Sequence, residues 1–146
     1  IGLRRLTIPP WHMFLASWMI IASLSILALQ ASFAKLAFFA GAMSAVAAAL
    51  CVLQLVNPRE TKSVQMIFGM FIVGCALCGL AYDPTHHVPI LAWFLPIICI
   101  PISAIAYFLC KGKCRAVLSL VIITFFVVGA VSWAIVTAPP TVEMWP

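Results

Sequence analysis

The sequence predicts an all-α, polytopic membrane protein: a bundle of about five transmembrane helices, N-terminus cytoplasmic and C-terminus outside. Three observations lead there. Of 146 residues, 66% are hydrophobic and only 8% charged, whereas a soluble domain carries roughly 25% charged residues to present a wet surface. The apolar residues fall into five runs of about 20, the length that crosses a hydrocarbon core of about 30 Å at 1.5 Å per residue. The basic residues sit in the short connectors and divide unequally between the two sides.

The first span is expected over residues 11–31, opened by Pro9-Pro10 and the ring of Trp11. The second covers 36–56 and is closed by Asn57-Pro58. The third covers 64–82, the fourth 88–110, and the fifth 116–136, which Pro139-Pro140 closes. Connectors this short make neighbouring helices antiparallel. No linker, low-complexity tract or repeat divides the chain, so residues 1–146 are read as one transmembrane domain.

Charge tests this parsing independently. The N-terminus and the second and fourth connectors hold Arg4, Arg5, Arg59, Lys62, Lys111, Lys113 and Arg115, while the opposite side holds only Lys35. A wrong span count would scramble that asymmetry. The positive-inside rule then places the N-terminus in the cytoplasm. A chain beginning at Ile1 is expected to have lost upstream residues or a matrix-side presequence, since a cleaved secretory signal would leave the basic N-terminus outside. A bacterial cytoplasmic membrane is the first expectation and the mitochondrial inner membrane the second. The net charge of +5 is assigned to topology and lipid headgroups, and nucleic-acid binding is excluded.

Small residues mark where helices approach closely among lipid tails. In the second span Ala37, Gly41, Ala45 and Ala49 repeat every fourth residue, beside a stripe of Ala40, Ser44 and Ala48. This helix is therefore expected at the centre of the bundle or at a homo-oligomeric seam. In the third span, Gly74 with Cys78 and Cys75 with Gly79 repeat the same spacing. Pro96 and Pro101 fall inside the fourth span, where each removes a ladder donor from the carbonyl four residues back, that of Ala92 or Ile97. A kink is expected, either for packing or to free carbonyls for an ion or substrate.

Asp83, His86 and His87 are the densest cluster of possible ligands, and a carboxylate with neutral imidazoles suits Zn²⁺ or Cu²⁺ at the outer face. Tyr82 and Glu143 are the available additions. The structural alternative has Asp83 capping a turn that Pro84 begins. His12 is placed near the opposite face and cannot join the pair. Cys75-Ala-Leu-Cys78 has redox spacing but lacks a flanking charge, so its thiols are read as small buried hydrophobes. Cys110 and Cys114 lie among basic residues and are candidates for acylation. Met66 and Met70 share a face, yet Cys75 falls about 180° away from Met66, so no Cu(I) ligand stripe forms.

No Asp, Glu, Lys or Arg lies deep in any expected span. Proton relays, ion-coupled transporters and voltage sensors place fixed charge there. No triad, zincin motif or phosphate loop occurs, and no catalytic residue is assigned. The functional expectation is an accessory, assembly or stabilising subunit of a larger membrane complex. Its partners would be the lipid bilayer and other membrane subunits or further copies of itself. The alternatives are a homo-oligomeric transporter or channel for a small neutral solute, and a metal- or thiol-dependent membrane enzyme.

Overall fold

The structure, a computed structural model, describes residues 10–57, 62–83, 88–110 and 114–137. Five helices fill these segments: α1 (Pro10–Gln30), α2 (Ala34–Val56), α3 (Lys62–Tyr82), α4 (Ile90–Leu109) and α5 (Cys114–Thr137). The expected spans match them to within a few residues at each end. All five are long and apolar enough to cross a membrane, and the described residues include no strand.

The helix that organises the bundle is α1. It is the one helix in contact with all four others, whereas α2 packs on α1 and touches only α3 besides. Half of the α1 span is buried, against 17% of α5. Phe14, Ile20, Ile21, Leu24 and Leu27 are each almost wholly enclosed. Such bulk on several faces gives each neighbour a wall of dispersion contacts, the force that remains when lipid tails are as apolar as the side chains.

This corrects one of the two positions expected for the small-residue helix. Smooth faces let α2 lie close to one neighbour, but they do not make it central. Its buried residues are Ala37, Ala40, Ser44, Ala47, Cys51 and Gln54, separated by alternating steps of three and four. That spacing follows the seam of a left-handed helix pair. Ala37 and Gly41 lie at the α1 side, but Ala45 and Ala49 are exposed. A strict four-residue repeat advances about 40° per step at 3.6 residues per turn, so the stripe winds off the contact.

Two hydrogen bonds hold α1 and α2 in a common antiparallel register. Ser25 Oγ donates to the Ala37 carbonyl at 2.8 Å, and near the other end Cys51 Sγ donates to the Trp11 carbonyl at 3.4 Å. The turn between them closes with Phe33 N–H donating to the Ala28 carbonyl at 2.8 Å and Ser32 N–H to the Leu29 carbonyl at 3.0 Å. This is a Schellman motif, whose first residue past the helix adopts a left-handed conformation and is usually glycine. Here Ser32 takes that place, at φ 61°.

On the other side of α1, Phe14 meets Phe68 of α3 edge to face at 5.9 Å between ring centroids. Trp93 of α4 comes close to the α3 backbone at Gly79, where an added Cβ would overlap its six-membered ring. Gly79 is thus the member of the expected small-residue pairs that admits a large neighbour. Replacing Ser32 by glycine should relieve the left-handed strain and raise stability by about 0.5–1 kcal/mol, read as a higher Tm in detergent. Gly79→Ala should lower stability by about 1–3 kcal/mol through overpacking against Trp93. An unchanged denaturation midpoint for Gly79→Ala would refute that close approach.

Candidate functional site

Two features of the bundle are candidates for function, one on its surface and one inside. The surface feature is the face of α2 turned away from α1. Phe38, Ala42, Ala45, Ala49, Val52 and Val56 follow the same alternating spacing as the buried set and are all exposed. Alanines fill the middle of this stripe, while Phe38, Val52 and Val56 stand at its ends, each more than 60% exposed. The small middle admits a close backbone, and the larger ends supply side chains to interlock.

The Asp83, His86 and His87 cluster is placed in part. Asp83 is buried, and its carboxylate accepts the Val88 N–H at 3.0 Å. It thereby ties the end of α3 to the residue that leads through Pro89 into α4. His86 and His87 lie outside the described residues, as do Pro84 and Glu143. Among the described residues no three metal-ligating side chains converge. The turn expected to begin at Pro84 lies outside the described residues, and the N–H that Asp83 accepts is that of Val88, five residues along the chain.

Helix α4 continues through both Pro96 and Pro101. Pro96 is buried and Pro101 exposed. Cys99 Sγ donates to the Pro96 carbonyl at 3.0 Å, and Ser103 Oγ donates to the Ile100 carbonyl at 2.9 Å. Both short polar side chains therefore bond back within their own helix. Cys75 is buried while Cys78 is exposed, and both are free thiols, as are Cys110 and Cys114.

The interior feature was not singled out by sequence. A cavity of about 120 Å³ lies between α1, α3, α4 and α5, in the half of the bundle where α1, α3 and α5 begin. His12 and Ser17 border it from α1, Gln65 from α3, Ser103 from α4 and Ser119 from α5. His12 is 3% exposed, and neither ring nitrogen closes a hydrogen bond, although the Ala116 backbone lies alongside. Its ring rests 5.6 Å from that of Tyr107, and the Arg115 guanidinium lies 4.8 Å over the far partner of that contact, the Tyr107 ring. The His12 and Tyr107 rings meet at a tilt and the Arg115 guanidinium lies on Tyr107, so the imidazole that borders the cavity is backed by a phenol and a basic group. The sequence signal for this site was a coincidence of depth: His12, Gln65, Ser103 and Ser119 lie on four different helices within about two turns of the basic connectors or the basic N-terminus.

Fold and site together define an all-helical bundle with five helices suited to a membrane, a largely apolar pocket with one polar end, and an unpartnered small-residue seam. Comparison with known proteins finds no matching family model, no matching curated sequence and no matching solved structure.

The Asp83 contact generates a prediction. Asp83→Ala should cost about 1–3 kcal/mol by leaving the Val88 N–H unsatisfied, whereas Asp83→Asn, which keeps an acceptor oxygen, should retain most of the wild-type stability. Equal Tm values for the two variants in metal-free detergent would contradict a structural role for this carboxylate.

Proposed function

We propose that the chain is an accessory or stabilising subunit of a larger membrane complex, with its N-terminus cytoplasmic and its C-terminus outside, in a bacterial cytoplasmic membrane. The observation that supports this reading most directly is the outward stripe of α2. A helix that had only lipid to face would gain more contact area from leucine and phenylalanine than from Ala42, Ala45 and Ala49. Small residues are favoured where another helix comes close. The absence of Asp, Glu, Lys and Arg deep in the spans agrees with a role carried by packing and not by charge movement. Seven basic residues on one side, against Lys35 on the other, support the orientation.

The same stripe could receive a second copy of the chain, and this favours a homo-oligomeric transporter or channel for a small neutral solute as the second reading. In that arrangement Pro96 and the interior cavity would shape the pathway. For a metal- or thiol-dependent enzyme built on Asp83, His86 and His87, or on Cys75 and Cys78, no converging set of ligands is found among the described residues, outside which His86 and His87 lie.

Native mass spectrometry of protein extracted in a mild detergent separates these readings. Stoichiometric larger subunits are expected, and a homo-oligomer without partners would move transport to first place. Ala45→Leu and Ala49→Leu lie at exposed positions and should change the stability of the isolated chain by no more than about 0.5 kcal/mol. The double variant should nevertheless lose co-purification of its partners. Full retention of partners would rule out this face as the docking seam.

A further inference from the structure

The interior cavity has two ends of different chemistry. His12 and Gln65 belong to the first turns of α1 and α3, while Ile20 and Ile72 lie about two turns farther along, or roughly 10–12 Å at 1.5 Å per residue. Ile100 of α4 and Ile123 of α5 also border the space. One end can therefore offer hydrogen bonds and the other only hydrocarbon.

At the polar end the two ring nitrogens of His12 are left without a hydrogen bond. Burying an imidazole without a hydrogen-bond partner costs folding free energy, and His12 is enclosed in this way with the cavity beside it. Ser103 has already committed its proton to the Ile100 carbonyl. Among the described residues no Asp, Glu, Lys or Arg lines the space, and the guanidinium of Arg115 is turned to the Tyr107 ring, so the described walls favour a neutral occupant. Water needs two to four polar partners, a condition the isoleucine end cannot meet. As to size, an enclosed apolar cavity of about 150 Å³ in another protein holds benzene; the space here is about 120 Å³ but partly open, so a slightly larger ligand can project from it.

We propose that this cavity is a binding site for a small neutral amphiphile about the size of phenol. A hydroxyl or carbonyl of the ligand exchanges a hydrogen bond with His12, and its apolar ring or short chain lies among Ile20, Ile72, Ile100 and Ile123. The proposal does not depend on the subunit reading, because the cavity involves α1, α3, α4 and α5 and leaves the α2 seam untouched.

The test uses the full chain in lipid nanodiscs, with 4-fluorophenol and fluorobenzene as probes and ¹⁹F line broadening as the readout. Gly69→Leu is the reference for partition into lipid. Gly69 borders the cavity, and a Cβ added there meets nothing within 4 Å, so the leucine can grow into the space. Wild-type protein should broaden both probes beyond the Gly69→Leu reference. His12→Leu should weaken 4-fluorophenol binding about tenfold, the scale of one hydrogen bond, and leave fluorobenzene within about twofold. Equal broadening in wild type and Gly69→Leu would overturn the site, a result that stands even if His12→Leu does not fold. Unchanged 4-fluorophenol binding in a folded His12→Leu variant would overturn the assignment of the polar end. A phenol carrying a dodecyl chain then distinguishes the source of the ligand: competition indicates the head of a lipid-soluble molecule, and lack of competition a free small molecule.

Discussion

Among lipid tails no hydrophobic force draws one apolar helix to another, so a bundle coheres only where side chains interlock. In this chain that condition falls on α1. Every other helix touches it, and the enclosed side chains of Phe14, Ile20, Ile21, Leu24 and Leu27 supply the contact on its several sides. Remove those contacts and α2 retains only a slight touch on α3, while α4 and α5 remain a hairpin beside α3. The cavity belongs to the same arrangement, since it lies where α1 meets three neighbours at once.

The five helices were legible because their signal is one-dimensional. Length, apolar composition and the proline and asparagine boundaries act on each segment separately, and the helix limits came out within a few residues. Which helix sits at the centre was not legible in the same way. The alanines of α2 announced close packing, yet closeness to one partner and enclosure by several are different properties. Distinguishing the buried Ala37, Ala40 and Ser44 from the exposed Ala45 and Ala49 required the crossing geometry, which no four-residue repeat encodes. The two faces of α2 differ by only a residue or two in sequence.

The candidate sites divide along a similar line. Asp83 could be read locally only as a carboxylate seeking a nearby backbone N–H; that the N–H is Val88's, five residues on, was not legible. His12 could not be read even so far. Considered by itself it is a histidine near the start of a span, a place where a wet imidazole among headgroups is the ordinary reading. Its burial follows from Tyr107 and Ala116, residues about a hundred positions away. Ser32 is a milder case. A serine in a left-handed turn carries no mark in sequence, whereas a glycine there would have announced the helix end.

Because the wall around His12 includes residues from α5, the order of synthesis acquires a consequence. The α1–α2 hairpin, joined by a short turn and bonded at both ends, can pair as soon as its two helices have left the ribosome. The last wall of the pocket, Ser119 and Ile123 of α5, arrives roughly 65 residues after the end of α2, a delay of roughly 3–13 s at 5–20 residues per second. Throughout that interval the imidazole borders an unfinished groove. The nascent chain must either keep that end at the water interface or shelter it within the insertion machinery, and the docking of α5 is the step that commits it to the interior.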